Sequence, residues 1–432
     1  MSFNVIVTIV MMLAVLILLV WNKVHPGIVL GGVPIIAAFI MGFSVDEVQG
    51  FINSGFGVIV GTLCIMIFAI LYFGILHELG VFKWLVNKIM GLLKNSVFGV
   101  MVATALITIL TQLDGSGSTT ALCTIPPMAP VYEKMKIRKD ALVFIEGLGS
   151  GIFTFLPWAP AVNEASAYLG LEAYDVYNWL IPVALFAVVL YFVILFPLSI
   201  IEKRHGAGMT AEEYAEMRKD IMKPVELPYG KPLAIFATIL TVAIMILLLV
   251  GILPITLTFV VGYAVLMVLT YKNPKNMGGY LGRQAPMILS LTMTMLGVAI
   301  LVGVNNGTGA LAEAAELIAS SGGGFVKHLP WICCALSLPL SFVTGNAKMS
   351  VVIPAVAAVA APFGIAPEAV CGGILFCGAI GASVNVFSGS CYLAVNLAGI
   401  EIRDHIKYSL IPYFFFSIAL ALFIGVTGMI PF

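Results

Sequence analysis

The sequence predicts an all-α polytopic membrane protein made of two inverted repeats, each with five transmembrane helices, a re-entrant hairpin and a broken helix. Three observations carry this prediction. Of 432 residues, 61% are hydrophobic and only 10% charged, with mean hydropathy +1.10, far outside the range of a soluble domain. Two polar interruptions, TQLDGSGSTTALCTIP ending at Pro126 and SFVTGNAKMSVVIP ending at Pro354, stand at equivalent places in the two halves of an otherwise apolar sequence. The basic residues also fall almost entirely on one side of the predicted spans.

The repeat reaches well beyond the interruptions. At the offset that lays Pro126 on Pro354, Gly117 falls on Gly345, Ile125 on Ile353, Ile137 on Ile365, and Asp140-Ala141 on Glu368-Ala369. Further out the offset lengthens by a single position, and there Gly74 meets Gly303, Gly80 meets Gly309, and Leu171-Glu172 meets Ile400-Glu401. Polar, Gly-interrupted segments at matching places in a duplicated membrane chain mark a transporter binding site.

The first repeat is assigned to residues 1–201. Apolar runs near 4–21, 27–43, 57–76, 139–156 and 178–200 approach the ~20 residues of a helical span. The first of them, Val5 to Val20, lacks a basic leader and a small-residue cleavage site and is read as a retained span. The runs 97–112 and 118–132 are too closely linked to cross separately, so 97–133 is read as a re-entrant hairpin with its polar tip at mid-membrane. Residues 80–95 put Lys83, Asn87, Gly91 and Lys94/Asn95 on one helical face and Phe82, Leu85, Val86, Ile89 and Leu93 on the other, the pattern of an interfacial helix.

Residues 202–231 form a charged linker, in which TAEEYAEMRKD is predicted helical with Thr210 as its cap. The second repeat, 232–432, has runs at 232–252, 254–271, 285–304, 367–385 and 406–429, and a hairpin at 328–363. Broken helices are predicted at 139–172 and 367–400. Five crossings per half invert the second repeat relative to the first. With the N-terminus outside, the cytoplasmic side holds Lys23, three basic residues in 83–94, four in 134–139, six in 203–231, three in 272–283, and Arg403 with Lys407, which is nineteen of twenty-one. Both termini then lie outside a cell membrane, and the hairpins enter from opposite sides.

Net charge is zero, and no basic stripe is present to attract nucleic acid. The seven cysteines lack metal-ligand spacing, so neither a disulfide framework nor a zinc site is expected. No cofactor is expected beyond a coupling proton or sodium ion.

Non-helical backbone inside lipid must be buried in protein or line a wet cavity. Gly-Ser-Gly at 115–117 and Thr344-Gly345-Asn346 are therefore expected to meet at one site. Ser116, Gly117, Ser118, Thr119 and Thr120 offer hydroxyls and helix-start amides suited to a carboxylate; the alternative is that they only satisfy broken backbone. Leu156-Pro157-Trp158-Ala159-Pro160 and NVFSGS (385–390) break the following helices, and Asn163, Asn385, Ser388 and Ser390 are expected to complete the cavity. Pro157 also reads as a simple kink.

Ionisable residues at membrane depth are functional candidates. Asp114 is the choice for the coupling acid, taking a proton on one side and releasing it on the other; the alternative is a helix cap. Glu146 is a second coupling candidate, or a partner for a cytoplasmic Lys. Lys348, assigned to the membrane interior, is set against a substrate carboxylate or against Asp114 or Glu164.

LDGSGSTT at 113–120, FLPWAPAVNEASAYLGL at 155–171, NNGTGALAEA at 305–314 and YLAVNLAGIE at 392–401 resemble the citrate-metal:proton symporter group of the ion transporter superfamily. The resemblance implies a homodimeric elevator, in which hairpins and broken helices move as a transport domain against a fixed scaffold, cotransporting a citrate-like di- or tricarboxylate with a cation. The family usually has acids where this chain has Ser116 and Asn346, and glycines then an arginine where it has Ala159-Pro160 and Glu164. Fewer carboxylates weaken a divalent-metal site, so the expectation is a free organic anion. The alternatives are a cation/proton antiporter using Asp114 and Asn385, a channel, and an intramembrane enzyme. For the enzyme, His77-Glu78 lacks the second zinc-protease histidine, since Val81 stands there.

Overall fold

The computed structural model describes residues 2–21, 23–92, 95–221, 225–321, 323–344, 348–385 and 388–431. These form helices and their connections, without strands. The first half runs α1 (Phe3–Trp21), α2 (Pro26–Ile40), α3 (Val45–Glu78), α4 (Val81–Gly91), hairpin legs α5 (Val97–Thr111) and α6 (Gly117–Lys134), the broken pair α7 (Lys139–Ile152) and α8 (Pro160–Ala167), and α9 (Ala173–Arg204). The linker carries α10 (Ala211–Ile221). The second half has α11 (Lys231–Leu249), α12 (Ile255–Thr270), α13 (Pro274–Thr308), α14 (Ala310–Ser321), α15 (Leu329–Ala335), α16 (Ser337–Thr344), α17 (Ile353–Ala360), the broken pair α18 (Pro367–Ala379) and α19 (Gly389–Ala398), and α20 (Ile402–Val426).

The halves repeat this order with little slippage. The offset that lays Gly80 on Gly309 also lays the start of α3 on that of α13, α4 on α14, α8 on α19, and α9 on α20. The 3-10 turns inside the broken helices, Phe153–Phe155 and Ala382–Val384, keep the same offset. Matching left-handed glycines close the turns, Gly80 with Gly309 (φ 75° and 66°) and Gly170 with Gly399 (67° each).

Six described helical segments are long and apolar enough to cross a membrane: α3, α5 with its terminal turn, α9, α11, α13 and α20. The α7–α8 pair, bent by 46°, makes a seventh. α1, α2, α12 and α18 are apolar but shorter, and α5, expected as a hairpin leg, is long enough to span, so the ten expected crossings are of very unequal length. α3 and α13 exceed the spans expected at 57–76 and 285–304 because caps precede them. Ser44 and Glu47 form a reciprocal capping box at α3, and Asn273 accepts from the Asn276 amide at α13.

Hairpin two is less regular than expected. Its first leg splits at Leu336, because Pro339 has no N–H to give the Ala335 carbonyl. Its second leg opens as a π-helical turn, Lys348–Val352, where Pro354 likewise cannot bond Ser350. In α4, Val81, Phe82, Val86 and Met90 are buried while Lys83 and Lys88 are exposed; Leu93 and Lys94 lie outside the described residues.

Two apolar cores result. One joins both hairpins, both broken helices, α9 and α20 with α1, α2, α13 and parts of α3 and α4; the other joins α3, α4, α11 and α12 with the Leu156–Ala159 break. α13 packs closely on α2 and α3, through glycines at which a Cβ would strike backbone: Gly55 lies against Ala299 and Gly303 against Phe51. Without a hydrophobic drive between helices in lipid, such close approach supplies the packing energy.

Candidate functional site

Each break arises from residues that cannot stay helical. Leu156 and Ala159 precede prolines and are extended (ψ 136° and 137°), as the clash with a following proline ring requires. Their counterparts in the second repeat, Asn385 and Ser388, are extended too (ψ 114° and 117°). The broken helices run past each other, Gly147 of α7 against Ser383 and Gly151 against Ala379.

The tip of hairpin one fits into this crossing. Gly115 is left-handed (φ 74°), and a Cβ there would come within 2.9 Å of Ala159 and 3.0 Å of Pro160; one on Gly117 would reach Ser150 Oγ at 3.2 Å and Ser390 at 3.5 Å. Trp158 Nε1 donates to the Leu113 carbonyl at 2.7 Å, fastening tip to break. The starts of α6, α8 and α19 therefore converge, and the partial positive charge of three helix N-termini meets at one place.

At the tip, the Ser116 amide donates to Asp114 Oδ1 at 2.8 Å, with the Thr119 hydroxyl in reach of the same carboxyl. Ser116 caps α6, accepting from the Thr119 amide at 3.4 Å. Ser118 is exposed, and Asp114, Ser116, Gly117 and Thr119 are half-buried. These groups can meet a solute.

Other expected site residues are committed to the fold. Thr120 is 0% exposed, its hydroxyl 2.5 Å from Gln112 Oε1 and 3.0 Å from the Ser116 carbonyl. Asn163, also 0% exposed, donates to the Pro157 and Ala159 carbonyls at 3.1 and 2.9 Å, repairing the break, and its Oδ1 has no hydrogen-bond partner. Asn385 donates to the Ser341 carbonyl at 3.0 Å, tying break two to hairpin two. The Ser388 and Ser390 hydroxyls, half-buried, are 2.8 Å apart. Glu146 is buried on α7, one turn before Ser150. Gly345 and Asn346, and the Val386-Phe387 pair, lie outside the described residues, as do the side chains of Thr344 and Lys348. The expected meeting of the two tips falls among them.

Sequence reasoning missed Gln112 and Ser150. Ser150 Oγ donates to Gln112 Oε1 at 2.9 Å, joining α7 to the hairpin turn; a serine amid the glycines of GLGSG was the available signal. It also missed the link from α8 to the π-turn, where the Tyr168 hydroxyl lies against Glu164 and Ser350. Among the described residues, no group of three His, Cys, Asp or Glu side chains is arranged to hold a metal ion.

A helical membrane protein with a hairpin tip seated in crossed, broken helices has the architecture of a solute transporter. The family model described as "Citrate transporter" matches residues 3–279. The chain belongs to the citrate transporter family. It is 30% identical over 406 residues to the "Citrate transporter" of Bacillus subtilis (strain 168), covering 93% of both chains. It is 28% identical to the "Mg(2+)/citrate complex secondary transporter" of the same organism, covering 87% of each. The crystal structure of the Alcanivorax borkumensis YdaH transporter, described as having an unusual topology, shares the fold. Its TM-score is 0.62 at 15% identity, over 96% of this chain and 99% of that one.

Proposed function

We propose that this protein is a secondary active transporter of a citrate-like di- or tricarboxylate, driven by proton or sodium symport. The convergence of three helix N-termini on the Asp114–Thr119 tip carries this reading. It offers backbone amides and hydroxyls to carboxylate oxygens beside a single acid, and relatives are named for citrate transport. Gly117, Ser118, Thr119, Ser388 and Ser390 would hold the anion, with Thr344 to Lys348 closing from the other hairpin. Asp114 is assigned to the coupling cation, with Glu146 as a second candidate.

Movement is assigned to the hairpins and broken helices with α9 and α20, which would slide as an elevator against the core of α3, α4, α11 and α12. Trp158 sits where these cores meet, 5.8 Å from the Phe259 ring. The protein is placed in the cell membrane as a homodimer, its halves inverted and its termini outside.

Ser116 replaces a tip acid usual in the family, and the cargo is accordingly assigned as the free anion. The deciding experiment is uptake into proteoliposomes of mono-, di- and tricarboxylates, with proton and sodium gradients imposed separately, with and without magnesium. Uptake of citrate without magnesium is the expected result. Strict magnesium dependence would overturn the free-anion assignment, and no carboxylate uptake under any gradient would overturn the transport reading.

A further inference from the structure

A cavity of about 350 Å³ lies between the end of α8, the α13–α14 turn, α17 and the start of α18. That size falls within the range of about 300–1,000 Å³ that small-molecule sites occupy. None of its lining residues belongs to Asp114–Thr119, and neither Ser388 nor Ser390 is among them. The walls are mostly carbon, from Leu169, Val302, Leu311, Pro354, Ala357 and Ala358, and no Asp, Glu, Lys, Arg or His side chain is among the described residues that line them. An ion would lose its hydration there without gaining a counter-charge, so the walls select against charge.

Three polar side chains also line the cavity: Tyr168, Asn305 and Asn306. The Tyr168 hydroxyl is engaged with Glu164 and Ser350, and Asn306 is exposed. Asn305 is only 8% exposed, and its Oδ1 is buried with no hydrogen-bond partner among the described residues. A buried polar atom left unpaired is rare in a folded protein and calls for a partner from elsewhere. A half-turn of the amide exchanges Oδ1 with Nδ2 and breaks no bond of Oδ1, so Asn305 can offer either an acceptor or a donor to a hydroxyl group.

The repeat does not require a polar residue here. At the offset that pairs Gly80 with Gly309, Asn305 falls on Leu76 and Leu311 on Phe82. Leu76 and Phe82 are both buried in the apolar core of α3, α4, α11 and α12. The first repeat thus carries buried carbon at the two positions where the second has an unpaired amide and a smaller side chain. Asn305 also opens the NNGTGALAEA segment (305–314), which the hairpin-tip site does not use.

The cavity spans two parts of the molecule. α13 cannot slide on α3, because a Cβ at Gly55 or Gly303 would already strike the backbone of the other helix, and Gly309 joins α13 directly to α14. The opposite walls come from α8, α17 and α18, which belong to the broken helices and hairpin two.

We propose that this cavity binds a single-chain, uncharged amphiphile, its chain against the apolar walls and a hydroxyl on Asn305, and that its occupancy holds α8 and hairpin two against α13 and so slows transport. The effect on transport rests on the elevator reading above; binding does not.

The test uses full-length protein in proteoliposomes and a photoreactive 1-octanoylglycerol with a diazirine at the chain end, the labelled peptides being mapped by mass spectrometry. Labelling is expected on 302–312 and 354–358, competed by unlabelled 1-octanoylglycerol but not by octanoate, which has the same chain and a charge. Asn305→Leu is expected to lower it about fivefold, the loss of one hydrogen bond, and Ala358→Trp to abolish it by filling the space. Because Asn305→Leu removes an unpaired oxygen, its melting temperature should equal or exceed that of wild type. A lower one would give Oδ1 a partner within the protein and overturn the anchor. Labelling spread over the lipid-facing helices, undiminished in Ala358→Trp, or competed equally by octanoate would overturn the site. Citrate uptake is expected to be slowed by 1-octanoylglycerol in wild type and unaffected by it in Ala358→Trp; equal inhibition of both would overturn the effect on transport. Labelling is read without citrate, so its failure is distinguishable from a failure of the transport reading.

Discussion

Asp114 is tied into the turn that presents it, since its carboxyl takes the Ser116 amide within hairpin one. Asparagine can keep that bond through its own oxygen while losing the charge. Asp114→Asn is therefore expected to abolish gradient-driven accumulation while sparing citrate exchange, read by comparing uptake with counterflow in proteoliposomes. Unchanged accumulation would remove Asp114 from coupling. Asp114→Ala loses the bond as well, and its melting temperature should fall by the equivalent of about 1 kcal/mol. Gly115 leaves no freedom of this kind: at φ 74° a Cβ is strained and would press on Ala159 and Pro160. Gly115→Ala is expected to cost about 1–2 kcal/mol and to depress transport, because it pushes the tip out of the crossing.

Among the helices, α3 and α13 touch through Gly55 and Gly303, whose neighbours are backbone atoms with no room to yield. Gly303→Val should lower stability by about 1–3 kcal/mol, visible as a lower melting temperature in detergent. α10 tests a milder interaction in the linker. The Thr210 amide donates to Glu213 Oε2 at 2.8 Å and the Glu213 amide to Thr210 Oγ1 at 3.2 Å. These bonds hold the Glu213 carboxyl below its ordinary range. A depressed carboxyl stabilises the helix above its unfolded value and loses that contribution as pH falls through the folded one. The hydrogen-exchange protection of α10, relative to the unfolded chain at the same pH, is therefore expected to fall below about pH 4, and Thr210→Ala should show the reduced protection already at neutral pH.

Across the full chain, one contact binds the halves near the linker. Glu202, 0% exposed, takes Arg138 Nη2 at 2.6 Å and the Tyr408 hydroxyl at 3.1 Å, with the guanidinium 4.7 Å from the Tyr408 ring. Glu202→Gln should cost about 2 kcal/mol, less than the ~3–5 of a fully buried pair because Arg138 stays partly wet, and thermal unfolding with and without salt measures it. The order of elements in the two halves was legible in advance. Gly80 and Gly309, the tip at 115–117, the Leu156–Pro160 break and the cap at Thr210 all show as local chemistry. Hairpin two was legible only in place, because the effects of Pro339 and Pro354 on carbonyls four residues earlier divide its legs. The long N-terminal turns of α3 and α13 were missed because their capping residues lie among polar neighbours, where hydrophobicity gives no boundary.

Membrane class, the duplicated order of helices and the positions of the polar interruptions follow from the amino-acid order alone, because apolar run length and proline or glycine placement act within a few residues. How those interruptions are used depends on packing across the chain. Packing seats Gly115 and Gly117 against both breaks, turns Thr120 toward Gln112, and commits Asn163 to the carbonyls of its own break. It also brings His405 beside Ser383. Those outcomes follow from the crossing of two broken helices far apart in sequence, where close backbone approach and the need to pair every buried polar group select the neighbours.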